Sequence, residues 1–302
     1  MENIPYYQKA FNDFLQDFNI EKKPQSLYQP IKYILSIGGK RLRPVLALMA
    51  AETFGGSYKS ALNAALCVEV FHNFTLMHDD IMDQAELRRG EVPVHIKWDL
   101  NTGILSGDAM LILAYQHLEY YDQEIFKKLM QVFNKTALEV CEGQQMDIDF
   151  ETRDAVSIEE YLKMIEYKTA VLVGASMKMG AIAASANSDD QELIYQFGKN
   201  LGIAFQLQDD YLDAFGNPED FGKTPGGDII ENKKTILYLR TLQIANREDK
   251  STLEKLYSEK EGDKDSKVNT VMELFSKYRI RELIKKDIEH FTQKAYGSLE
   301  RV

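Results

Sequence analysis

The chain has 302 residues, of which 44% are apolar and 11% aromatic, enough for one large core or two ordinary ones. Its formal net charge of −11 excludes the broad basic face of a general nucleic-acid binder. It does not exclude an anionic substrate, because a local basic pocket or a bound cation can reverse the sign of the field. The two cysteines, Cys67 and Cys141, are too few for a disulfide scaffold and read as core packing.

Taken in order, the chain reads as helix nearly throughout. The opening Met1-Glu2-Asn3-Ile4-Pro5 has no basic segment followed by an apolar run, so no signal peptide is expected. Spaced aromatics and leucines predict a first helix over Tyr6 to Phe18, and a second runs from Leu27 to Ile37 and ends at Gly38-Gly39. Lys40-Arg41-Leu42-Arg43 follows, three cations in four residues beside two glycines; it is either a basic helix start or a phosphate cradle. Pro44 launches the helix Val45 to Phe54.

Ala61 to Asp83 is a long apolar helix that ends in His78-Asp79-Asp80-Ile81-Met82-Asp83, followed by Arg88-Arg89-Gly90. Asp79 and Asp83 are one turn apart, a like-charge spacing that costs an isolated helix roughly 0.2–0.5 kcal/mol per pair. Negative charge at a helix C-terminus also opposes the dipole. Both costs have the wrong sign for a structural patch and the right one for a hard divalent cation. Arg88 and Arg89 suit phosphate oxygens.

From Pro93 to Pro218 there is no proline, and no strand-like alternation stands out, so an all-α bundle is expected. Ser106-Gly107-Asp108 is read as a helix start, and Glu142-Gly143-Gln144-Gln145-Met146-Asp147 as a helix end. Ile158 to Met164, Val171 to Ser185 and Leu201 to Phe215 are further helices, with Lys168-Thr169 ahead of the second. The most apolar stretch, Ala170 to Ala186, is interrupted by Lys178 and too short for an integral membrane segment, which makes the cytoplasm the expected location. Asp209-Asp210-Tyr211-Leu212-Asp213 repeats the acidic spacing, and a Gly- and Lys-rich loop at Phe221 to Asp228, followed by Lys233, reads as a closing flap. Asn246 to Val268 reads as mobile or as a solvated helical turn, and Arg281 to Val302 as a last helix.

In this order these motifs resemble the trans-type polyprenyl diphosphate synthases, the farnesyl and geranylgeranyl diphosphate synthase group. The likeness runs over Gly38 to Pro44, Asp79 to Asp83 with Arg88-Arg89-Gly90, Gly107-Asp108, Gly143-Gln144, Lys168-Thr169, Gln206 to Asp213, Gly222-Lys223 and Lys233. It implies one domain over residues 1–302, a single large helical bundle of the isoprenoid synthase type around a deep central cavity, and a homodimer with no nucleic-acid partner. The implied reaction joins isopentenyl diphosphate to an allylic diphosphate through an allylic carbocation.

The likeness also implies residue roles. Mg2+ ions would be held by Asp79, Asp83 and Asp209, with Asp80, Asp210 and Asp213 completing or tuning their shells. Arg88, Lys168, Lys233 and Lys223 would face the allylic diphosphate, with Thr169 and Gln206 near its reacting carbon. Lys40, Arg43, His72 and Arg89 would hold isopentenyl diphosphate. Phe74, about 7.5 Å before Asp79 along the helix axis, and Phe71, about 12 Å before it, would form the floor that limits product length, with the small Thr75 between Phe74 and the cluster. That pattern favours a C20 product, with C15 next. A class I terpene cyclase is the first rival, although its second metal motif normally contains Asn, Ser or Thr and Glu. A non-catalytic subunit of a prenyltransferase heteromer is the second.

Overall fold

The structure is a computed structural model that describes residues 2–18, 20–153, 155–217, 226–258 and 262–302. Among these residues there is no β-strand, and the one isolated bridge joins Arg88 to Glu91. The helices group into two compact units, Met1–Lys135 with Ala175–Tyr195, and Thr136–Gly174 with Gln196–Val302.

The first unit is organised by α4 (Leu62–Met82). Its buried residues include the run Ala64 to Phe71 and then Asn73, Phe74, Met77 and Asp80, so it is apolar on nearly every side and is surrounded by other helices. Against it pack α1 (Ile4–Gln16), α2 (Gln25–Ser36), α3 (Leu42–Thr53) and α6 (Leu100–Gln116), with the short α5 (Val94–Lys97) preceding α6. Helix α3 starts from Arg41, a left-handed residue with φ 50°, whose guanidinium is turned inward. It donates to the Glu69 carboxylate and to the Leu35 carbonyl, and Asn73 Nδ2 donates to the same Glu69 oxygen at 2.9 Å.

Helix α7 (Gln123–Thr152) follows, then α8 (Ile158–Ile165) behind a Ser157/Glu160 capping box. A π-helical turn, Glu166–Ala170, leads into α9 (Val171–Ala183), and α10 (Ser188–Phe215) carries the second acidic cluster. The second unit has its own core. Tyr161 and Ile165 pack in it with Leu207 and Tyr211 of α10. The short α11 (Gly227–Ile230), α12 (Ile236–Ile244), α13 (Arg247–Ser258), α14 (Lys264–Lys277) and α15 (Ile280–Leu299) also feed this core.

Four local expectations are corrected. Ser106-Gly107-Asp108 lies inside α6, whose start is set by Asp99 accepting from Thr102 N at 2.8 Å. Glu142 to Asp147 lies inside α7, because Gly143 marks a close helix approach and not an end. Asn246 to Val268 includes two packed helix segments, in which Leu253 and Tyr257 are buried one turn apart beneath a charged outer face. Cys67 is buried as expected, whereas Cys141 is exposed. The apolar surroundings of Cys141 along the chain are not its surroundings in space.

The Arg41–Glu69 pair is almost wholly buried, so removing one partner strands the other charge. Glu69→Ala is expected to cost about 3–5 kcal/mol of folding free energy, read as a lower urea midpoint in equilibrium unfolding.

Candidate functional site

In the first unit the acidic end of α4 is shaped by its own carboxylates and by the turn that follows. Asp83 N donates to Asp79 O at 2.8 Å as the helix closes. Asp79 is half-buried and Asp83 exposed, whereas Asp80 is 1% exposed and turned into the protein. Asp80 Oδ1 accepts from Arg88 Nε at 2.8 Å and from Arg88 Nη2. Backbone hydrogen bonds between Arg88 and Glu91, with Arg89 and Gly90 both at positive φ, make a tight hairpin turn.

That turn delivers Arg89 to the Gly38-Gly39 pair, where its guanidinium donates to Gly38 O. Gly39 has φ +133°, which favours glycine, and the Arg89 guanidinium occupies the space a Cβ there would enter. Arg43 Nη1 donates to His72 Nε2 at 3.2 Å. Burial, then the charges of Arg43 and Arg89, hold His72 well below its ordinary value, so it is a neutral acceptor here. Burial also lowers the Arg43 guanidinium, and its Nε is buried with no hydrogen-bond partner among the described residues. Of the expected isopentenyl diphosphate set, Arg43 and His72 are thus in contact. Arg89 lies against the Gly38-Gly39 loop that leads to Arg43, and Lys40 is exposed on that loop. Arg41 of the same basic run does not share their role, being committed to Glu69.

The expected floor residues sit together. Phe71 is fully buried, edge-on to Phe133 at 5.2 Å, and its ring is 5.6 Å from that of Phe74. Thr75 donates its hydroxyl to His72 O at 2.8 Å. His78 packs on Phe74 at 4.8 Å and on Gly107, where a Cβ would meet its Nε2 at 2.2 Å. The position of Gly107 inside α6 follows from that contact.

In the second unit Lys168 and Thr169 lie on the π-helical turn, a deformation common at functional sites. A Cβ on Gly143 would lie 2.2 Å from Lys168 N, so α7 meets this turn backbone to backbone. Lys168 pairs with Asp147 at 2.5 Å. Thr169 Oγ1 donates to Gln206 Oε1 at 3.4 Å, and Gln206 Nε2 donates to Asp210 Oδ1 at 3.2 Å. Tyr161 OH donates to the other Asp210 oxygen. Asp209 is exposed, and Asp213 Oδ2 accepts from Asp228 N at 3.0 Å. Lys233 pairs with Glu231 at 2.7 Å and lies 3.6 Å from Asp228. Lys223 and the rest of 218–225 lie outside the described residues.

Electrostatically this end of α10 is crowded with negative charge. Burial pushes Asp210 up to about 7; Tyr161 and Gln206 oppose that rise, while Asp228 and Asp209 add to it. Burial and then Asp213 push Asp228 up to about 6. Both acidic clusters offer carboxylate oxygens and no softer donor, so the residues fit a hard divalent cation. Among the described residues no three His, Cys, Asp or Glu side chains form a cage by themselves. Mg2+ is ordinarily held by one or two carboxylates with substrate phosphates and water completing its shell. Three polar side chains at the site were missing from the sequence-based set: Tyr161, Asp147 and Asp228. Asp147 had a signal, one turn after Gly143, and Asp228 ended the loop read as a flap; Tyr161 had none.

The polyprenyl synthetase family model matches residues 24–275. A geranylgeranyl diphosphate synthase of Methanosarcina mazei is 43% identical over 223 residues, 73% of this chain and 69% of that one. A geranylgeranyl diphosphate synthase of Sulfolobus acidocaldarius is 36% identical over 287 residues, 92% of this chain and 87% of that one. A crystal structure of a geranylgeranyl pyrophosphate synthase superposes with a TM-score of 0.96 at 52% identity, covering 100% of this chain and 93% of the other. The expected all-α fold and family are both found: the chain belongs to the polyprenyl synthetase family and is a prenyltransferase.

Proposed function

We propose that this chain is a short-chain trans-prenyl diphosphate synthase that condenses isopentenyl diphosphate with an allylic diphosphate to a C20 product, with C15 the next choice. The observation that carries the reading is the group around Arg43. A half-buried arginine whose Nε is buried and unsatisfied among the described residues, beside a neutral histidine and near Arg89, is an arrangement an anion would complete. In a class I terpene cyclase a second diphosphate site would have no use, and both acidic clusters are whole, unlike those expected of a non-catalytic subunit.

In the proposed reaction the allylic C–O bond breaks and the diphosphate departs with the bonding pair. The double bond of isopentenyl diphosphate then attacks the allylic cation, and the proton lost afterwards passes to the released diphosphate. Arg88, Lys168 and Lys233 are proposed to neutralise the departing oxygens, with Lys223 assigned on family likeness alone. Thr169 and Gln206, already hydrogen-bonded to each other, would orient the reacting carbon. Lys40, Arg43, His72 and Arg89 would fix the second substrate for attack. Asp79, Asp83 and Asp209 would hold Mg2+, which when bound supplies Lewis-acid charge neutralisation to the diphosphate. Asp80, held by Arg88, and Asp210 and Asp213, held by hydrogen bonds, would support those ligands.

The homodimer and the cytoplasmic location belong to the same proposal. Helix α6 leaves Ile104, Leu105 and Ile112 exposed within two turns, an apolar stripe that a second copy would cover. No helix among the described residues is long and apolar enough to cross a membrane.

Incubation with farnesyl diphosphate, labelled isopentenyl diphosphate and Mg2+ should yield a C20 product by chromatography; no incorporation with any allylic starter would overturn the reading. Arg43→Leu should raise the KM for isopentenyl diphosphate about ten- to a hundredfold, as loss of a charged hydrogen bond implies, and leave that for the allylic substrate far less changed. Phe74→Ala should lengthen the product, and an unchanged length would reject Phe74 as floor.

A further inference from the structure

Asp210 is the buried member of the second acidic cluster, and protein donors occupy both of its carboxylate oxygens. Gln206, one turn earlier on α10, takes Oδ1, and Tyr161 of α8 takes Oδ2. Tyr161 is 4% exposed. Burial and then the charge of Asp210 hold its phenol well above the usual range, so it stays protonated. A phenol has one proton to donate, and this one is committed to Asp210.

The placement of Tyr161 is set from both sides along the chain. The Ser157/Glu160 capping box begins α8 one turn before it, with Glu160 N donating to Ser157 Oγ at 3.1 Å and Ser157 N donating to Glu160 Oε2 at 2.8 Å. The π-helical turn bearing Lys168 and Thr169 begins directly after α8. The ring packs in the second unit's core, so the hydroxyl has little freedom to turn elsewhere. Together these contacts make a continuous run from Thr169 through Gln206 and Asp210 to Tyr161. A buried carboxylate deprived of one of two donors would pull toward water. That movement would disturb the last turns of α10, which carry Asp209 and Asp213.

We propose that Tyr161 is a positioning residue for metal–diphosphate binding: its hydroxyl fixes Asp210 and thereby the α10 segment from which Asp209 presents its carboxylate. The proposal rests on the prenyl-transfer reading above and extends it to a side chain whose alternative duty, filling the core, needs only the ring. Hydrogen-bond partners behind metal ligands are worth about ten- to a hundredfold in metal affinity.

The test is calorimetric titration of Mn2+ in the presence of saturating inorganic pyrophosphate, on wild type, Tyr161→Phe, Asp210→Ala and the double variant, each checked by thermal melting. Tyr161→Phe keeps the ring and should weaken Mn2+ binding about tenfold, whereas in the Asp210→Ala background it should change affinity by less than about twofold. Asp210→Ala alone should weaken binding at least as much. Wild-type affinity in Tyr161→Phe, or an equal loss in both backgrounds, would overturn the role. If Tyr161→Phe proves unstable, Asp210→Ala carries the decision, and unchanged Mn2+ binding there would overturn it equally. A wild type that transfers no prenyl group and binds no Mn2+ would overturn the prenyl-transfer reading as well; one that turns over normally confines any failure to Tyr161.

Discussion

Like charges held close together are the constraint on which this chain's arrangement depends. Around Arg43, a neutral histidine and a second arginine are gathered where burial already disfavours a cation. At the end of α10, burial and neighbouring carboxylates raise both Asp210 and Asp228. Water would disperse either cluster in an unfolded chain, so the fold must supply the work of assembling them. Binding ions of opposite sign returns that work, which is how preorganised electrostatic sites gain affinity and catalytic power together.

The work is done by helix contacts that are closer than ordinary side-chain packing allows. Gly143 lets α7 reach the backbone of Lys168, and Gly107 makes room for the imidazole of His78. Gly39 does the same for Arg89. Charged groups are then tied down by specific side-chain partners. Arg41 is bound to Glu69, Asp80 to Arg88, and Asp210 to Tyr161. In each acidic cluster the central aspartate is the buried one, and Asp83 and Asp209 are exposed. Rigidity sits in the middle of the motif and accessibility at its edges, a division suited to binding a ligand whose own charge completes the site.

The aromatic group along α4 follows a related logic in an apolar setting. Phe71, Phe74 and Phe133 touch edge to face or tilted, a geometry that keeps large rings in fixed positions. Rings held this way resist displacement, because moving one disturbs the next. The contact between Phe74 and His78 links that aromatic group to the helix turn bearing Asp79.

Much of this was legible from residue order. Two Asp-rich clusters at one-turn spacing, with glycines and cations at fixed places between and after them, name the chemistry because only charge type and helical period are needed. Apolar periodicity without strand alternation likewise determined the all-α class. What only the tertiary structure decided was which members of each motif are exposed and which are turned into the protein. Arg41 and Arg43 are equally basic in the sequence, yet one is neutralised by Glu69 and the other left with a buried, unsatisfied Nε. Asp209 and Asp210 are adjacent and chemically identical, yet Tyr161, 49 residues earlier in the chain, takes the second alone. Gly107 and Gly143 look like helix ends until the groups that press against them are in place. Such distinctions arise from contacts between residues distant along the chain, which local spacing does not encode.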